Sequence, residues 1–354
     1  HPMPRSISYE LGYEHNLFNQ FLLRLTGYYK DLSLQPRNVG FKNATGNLDY
    51  SVLLPYKYED IRGFETTLSR TAGWVRGFVN FTFMASERGD FGYGSYFENP
   101  VDAVDYARDY RNRVLDAVPR PYARANISFM APQNFGPELA GGIRPLGDWR
   151  LSFLGNWQAG RVSTWCGGGG SCPVELRNNL RWREDWMLAL RLSKIFNTGL
   201  AQVQFFMDVN NALNIRTLNT GAFTVGDDDE QLYMRSLQLE KGIFDKVDAR
   251  PYRFIPGDDK PGDFRDPDAA FVPIEIIEDR TSVNDPSEVA LYYEAPGEIE
   301  NGMYYQWNGS SWEAASDSFV DGVLEDKAYI DMPNLRSFWF LYPREWTFGV
   351  RMTF

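Results

Sequence analysis

The stretch Trp346–Phe354 alternates without a fault. Trp346, Phe348, Val350, Met352 and Phe354 fall on one side; Thr347, Gly349, Arg351 and Thr353 fall on the other. A period of two is that of a β-strand, here one whose two sides meet different surroundings. Chain ends of soluble domains are usually polar and frayed. An aromatic residue closing a full strand therefore marks a structural and recognition element. An ordinary antiparallel strand of a soluble sandwich would also fit this segment taken alone.

Eight further segments carry the same period: 7–14, 21–30, 63–70, 75–85, 122–131, 148–157, 185–196 and 202–211. With 346–354 they make nine predicted strands of about ten residues, the length of a tilted β-strand crossing a bilayer. The connections between them alternate in length. The short ones are 15–20, 71–74 and 197–199, with a middling Pro/Gly break before Asp148. The long ones are 31–61, 86–120, 160–183 and 215–343. The faces opposite the apolar stripes carry Arg, Glu, Asp, Lys and Gln inside the strands. Tight turns at one end, long loops at the other, one apolar face and one wet face together predict an all-β protein, an antiparallel transmembrane β-barrel. Trp and Tyr at strand ends suit its two interfacial girdles.

Composition agrees with this reading. No run of eighteen apolar residues occurs, which excludes a transmembrane helix and leaves a barrel untouched. The net charge of −11 excludes nucleic acid as a partner. Two histidines, both early in the chain, leave no Ser-His or His-metal constellation, and no P-loop or dinucleotide fingerprint is present. The chain reads as a non-enzyme. A single-chain bacterial barrel has an even strand count, so nine strands lead to the expectation that the chain is incomplete at its amino end.

The segments also carry a resemblance. The closing strand to Phe354 resembles the C-terminal assembly signal of bacterial outer-membrane barrels. Met207-Asp-Val-Asn-Asn-Ala-Leu-Asn214, preceded by 185–196 and a Gly turn, resembles the penultimate strand of TonB-dependent outer-membrane receptors, and Ile61-Arg-Gly-Phe-Glu-Thr-Thr-Leu68 is similar to a recurrent strand of that family. The resemblance implies that residues 1–354 are the C-terminal portion of a barrel of roughly 22 strands. It implies an N-terminal plug domain, a TonB-type energy-transducing partner, the barrel-assembly machinery, outer-membrane lipid around the wall, and uptake of a scarce solute (siderophore, cofactor, glycan or peptide). Two other readings stay open: a structural or adhesive barrel binding a surface protein, and a soluble β-sandwich module binding, for instance, glycans.

Candidate sites follow. Arg24, Glu65, Arg191 and Arg351 are candidates for the lumen. Tyr93, Tyr96, Phe97 and Trp165, in predicted loops, could stack on a ligand or pack against one another. Asp227, Asp228, Asp229 and Glu230, with Asp258, Asp259 and Asp263, are a candidate Ca²⁺ set; a solvated acidic loop is the plainer alternative. Cys166 and Cys172 flank four glycines and suit a small disulfide-closed loop in an oxidising compartment, with two reduced thiols as the alternative. Residues 215–343 are too long to be structureless. They are expected to form an ordered cap with a type I′ turn at Asn308-Gly309 and a short helix within 317–329, binding solute or a surface lipoprotein. A second helix is expected from Val101 to Val118, started by Asn99-Pro100.

Overall fold

The computed structural model describes residues 3–110, 118–139, 144–166, 176–197, 201–219, 259–265, 269–297, 301–330, 340, 341 and 343–354, with single positions between 230 and 255. It divides into two compact units, 1–159 with 185–213 and 344–354, and 160–184 with 214–343.

The first unit is built on one antiparallel sheet. Its strands are β1 (Arg5–Leu17), β2 (Phe21–Lys42), β3 (Leu48–Arg70), β4 (Val75–Asp90), the short β5 (Ser95–Phe97), β6 (Tyr122–Met130), β7 (Trp149–Gln158), β10 (Asp185–Asn197), β11 (Gln202–Asn210) and β18 (Glu345–Thr353). β8, β9 and β12 to β17 belong to the other unit. Nine strands follow one another in the order β1-β2-β3-β4-β6-β7-β10-β11-β18, and β5 joins β2 in parallel. All nine predicted strands are present and pair with their sequence neighbours.

Two expected connections differ. The stretch 31–61 continues β2 and β3 past the apolar band, up to a tight turn at Asn43–Asn47, with register shifts at Leu32/Gln35, Gln35/Arg37 and Phe41/Lys42. Beyond the band neither side of the hairpin is consistently apolar, so alternation gave no sign of the strands there. The loop after β4 holds α1 (Pro100–Tyr110), whose start is fixed by the Asn99 side chain accepting from the Val101 N–H (3.0 Å) and by proline in the first turn. The predicted continuation across 111–117 lies outside the described residues.

The second unit has its own core. β8 (Val162–Ser163) pairs with β9 (Leu180–Arg181), and β12 (Thr217–Leu218) with β17 (Phe340–Leu341). A four-stranded sheet runs β13 (Ile274–Ile277), β14 (Leu291–Glu294), β15 (Met303–Trp307) and β16 (Trp312–Ala314), with β13 and β14 parallel. α2 spans Asp317–Glu325 and buries Val320 and Val323. Trp182, Tyr233, Leu237, Leu291 and Ile330 are among the residues of the main buried cluster. Both buried apolar clusters of the described residues lie in this unit. The sheet of the first unit contributes to neither.

The turn at Asn308-Gly309 is not a two-residue type I′ turn. Trp307 pairs with Trp312, leaving the four-residue loop 308–311. The Asn308 carboxamide oxygen accepts from the N–H groups of Ser310 (2.9 Å) and Ser311 (2.8 Å), and only Gly309 has positive φ. The side chain thus takes amide protons that a type I′ turn would leave to the backbone.

Within β4, Gly77 has φ +144°, and a Cβ there would fall on the Asn126 carbonyl oxygen of β6. Gly77→Ala is expected to cost about 1–3 kcal/mol, read as a lower denaturant midpoint. An unchanged midpoint would mean that the backbone has room at this crossing.

Candidate functional site

Residues paired across a ladder share a face of the sheet, so the register sorts the side chains. On one side, Glu14, Arg24, Thr67, Asn80, Arg124 and Asn156 stand in a row across β1 to β7. Ser128, Ser152, Arg191, Asp208 and Thr347 continue the same face through β6 to β18. Arg24, Glu65, Arg191 and Arg351 all lie on this polar side. Arg24 Nε donates to Glu14 Oε1 at 2.6 Å. Arg191 holds Asp208 with two parallel bonds of 2.6 Å. That fork geometry fixes both side chains and satisfies both carboxylate oxygens.

The opposite side is apolar. Leu190, Val209 and Trp346 form one row and Leu192, Met207 and Phe348 the next; Phe205–Val350 and Val203–Met352 complete the edge. Trp346, Phe348, Val350 and Met352 therefore share one side, continuous with eight other strands, and Phe348 is 71% exposed. Across β6, β7, β10, β11 and β18 this side carries a single charged side chain, Lys194. At one end of β2, β3 and β4 the apolar band stops abruptly at a row of carboxylates, Asp31, Asp60 and Glu87.

Lys194 itself is buried. Its ammonium donates to the Arg144 carbonyl at 2.9 Å and to the Gly147 carbonyl, beside the rings of Trp149 and Phe196. The carbonyls satisfy a cation that the surrounding aromatic surface cannot. Sequence reasoning passed over this residue, although a lone Lys in an apolar stripe was the available signal.

Among the clefts on the described residues of the unit, two have defined polar linings. One, of about 430 Å³, is lined by Asn126, Ser128, Arg150, Ser152, Arg191 and Asp208 on the polar side. The other, of about 570 Å³, sits beyond the apolar band beside Gln35, Lys57, Glu59, Arg88 and Asp90. In the second, Glu59 Oε1 accepts from Ser86 Oγ at 2.5 Å and from Arg88 Nε at 2.9 Å. Burial pushes the Glu59 carboxyl up, but these two donors outweigh it and hold the group below its ordinary value.

Of the ring residues named above, Tyr93, Tyr96 and Phe97 come together. Tyr96 stacks on Phe41 (5.4 Å), which stacks on Tyr50 (4.8 Å); Tyr93 meets Tyr96 and Tyr106 edge-on, and Phe97 packs on Tyr106 with Lys42 over its face. The rings are spent on one another, bracing the β2–β3 hairpin through β5. Trp165 is a correction. It is 2% exposed within the core of the other unit and presents no ring to solvent.

The acidic set is also redirected. Asp259 is buried; its carboxylate accepts from the Gln238 N–H at 2.9 Å, from the Tyr329 hydroxyl and from the Lys327 ammonium. Asp263 lies 3.7 Å from the same ammonium, and Glu230 faces Arg161 at 3.4 Å. These carboxylates hold cations of the protein itself. Among the described residues no group of His, Cys, Asp or Glu is arranged to hold a metal ion. Asp227, Asp228, Asp229 and Asp258 lie outside the described residues, as does Cys172; Cys166 is disulfide-bonded.

Comparison with known protein families, curated proteins and solved structures finds no match.

Two outcomes are expected in the core of the second unit. Asp259→Ala should cost about 3–5 kcal/mol, because it leaves the Lys327 ammonium in a nearly closed site without its carboxylate; retention of the wild-type melting profile would refute that role. Burial, then the neighbouring Tyr293, pushes the Tyr304 phenol up to about 12. A raised value favours the neutral folded form, so its contribution is complete below the ordinary tyrosine value near 10 and is lost as the pH rises to about 12. Ultraviolet titration should show a late phenolate step that Tyr304→Phe removes.

Proposed function

We propose that the sheet of the first unit is a wall segment of a bacterial outer-membrane β-barrel, and that the protein is a solute-uptake receptor of the TonB-dependent type. The observation that carries this reading is the partition of charge between the two sides of the sheet. Five strands, β6, β7, β10, β11 and β18, present one charged residue on their apolar side. The other side of the same strands is studded with arginines, serines, asparagines and glutamines. In water, an apolar face of this breadth would be covered by a second layer. In hydrocarbon it is already solvated, while the opposite side lines an aqueous interior.

Other features support the reading. Each of the nine main strands pairs with the next of them along the chain, the topology of an up-and-down wall. Trp157 and Trp186 stand together near one border of the band (6.0 Å), and Trp149, with its indole N–H on the Pro145 carbonyl (2.8 Å), stands near the other. Such rings suit membrane interfaces. The second unit, with a core of its own, is inserted through the connections β7–β10 and β11–β18, which leave the sheet at the same end as the protruding β2–β3 hairpin. A folded unit carried by two such connections is where a receptor would meet its solute or a surface lipoprotein. A soluble sandwich accounts for the alternation equally well but leaves the exposed rings of the apolar side unexplained.

The test is fractionation of the native cell. Recovery with the outer membrane, released only by detergent, is expected; a protein that stays in the soluble fraction would sink the proposal. Within the same experiment, Val350→Arg puts a guanidinium on the lipid side at a cost of roughly 2–4 kcal/mol and should sharply lower the assembled yield. Normal yield of that variant would argue against lipid contact at β18.

A further inference from the structure

Resting on the barrel reading, we propose that the 430 Å³ cleft on the polar side is a binding site for the carboxylate of a small hydroxylated acid, of the sugar-acid class. The chain as a whole carries a net charge of −11. The polar side of β6, β7, β10, β11 and β18 runs against that balance. Arg124, Arg150, Arg191 and Arg351 stand along it, while Asp208 is the one carboxylate away from the strand ends, where Asp185 and Glu345 lie. An acidic protein that lines one surface with arginine creates a local attraction for anions that its average charge would oppose.

The cleft gives that attraction a definite place. Arg191 is already neutralised by Asp208 through the two 2.6 Å bonds. Arg150 is not: it lines the same cleft and has no hydrogen-bond or ion-pair partner among the described residues. Arg191 stands opposite Ser152, so Arg150, two residues along β7, is its diagonal neighbour. The Ser128 and Ser152 hydroxyls lie 2.9 Å apart. One donates to the other, which leaves one hydroxyl proton free to point into the cleft. A guanidinium without a counter-ion and a free hydroxyl fit a carboxylate. The Asn126 carboxamide offers a further acceptor and donor to hydroxyl groups on the remainder of such a ligand. The volume matches a small-molecule site.

Gluconate, with glucose as its uncharged counterpart, provides the test on detergent-purified protein by calorimetry. Gluconate should bind and glucose should not. Arg150→Gln should weaken gluconate by about tenfold or more, the loss of one charge-assisted bond. Ser152→Ala, which changes no charge, should weaken it less and guards against a folding defect in the first variant; circular dichroism confirms the sheet in both. No gluconate binding, equal binding of both ligands, or unchanged affinity in Arg150→Gln would each overturn the site. These outcomes are independent of fractionation, since a soluble protein that bound gluconate through Arg150 would refute the barrel and leave the site standing.

Discussion

The first unit pairs its backbone within one sheet but buries the apolar side of that sheet in no cluster of its own. Its nine main strands pair in chain order, so the polar backbone between the two edge strands, β1 and β18, is satisfied within the sheet. The side chains are not satisfied in the same way: from β6 to β18 one face is apolar apart from Lys194, and none of it joins a buried cluster. Hydrogen bonding and hydrophobic burial, which most folds meet together, are here separated. The second unit meets both demands by itself, with a small mixed sheet over a closed core.

That division explains what could be read in the sequence. Where the two sides of a strand meet different surroundings, alternation is complete, and all nine strands were visible. Where neither side is consistently apolar, as in the β2–β3 hairpin beyond Asp31 and Asp60, the pattern fades and the strands passed for a loop. The core of the second unit was hidden for another reason. Trp165, Leu180, Tyr233, Leu291 and Ile330 come from segments far apart in the chain, and no periodicity connects them.

The candidate site was legible by face and not by contact. Arg24, Glu65, Arg191 and Arg351 share a side because the period of two guarantees it. The partnership of Arg191 with Asp208, and the isolation of Arg150, depend on register between strands, which a single sequence does not contain. The acidic loop shows the reverse failure. Asp259 reads as a metal ligand because carboxylates cluster around it, but Lys327 and Tyr329, nearly seventy residues away, occupy it first.

Lys194 carries a consequence for the order in which the sheet assembles. The loop joining β6 to β7 is fastened by carbonyls of Arg144 and Gly147 to an ammonium on β10, and the Ile195 N–H donates to Asp148 at its far end (3.2 Å). The β6–β7 hairpin closes its own base, with Ala131 N–H on the Trp149 carbonyl and Asp148 N–H on the Pro132 carbonyl, but its loop is fastened from outside. The contacts of Lys194 wait for a strand that arrives only after the excursion through residues 159–184, and the fastening of this loop is a long-range step in folding.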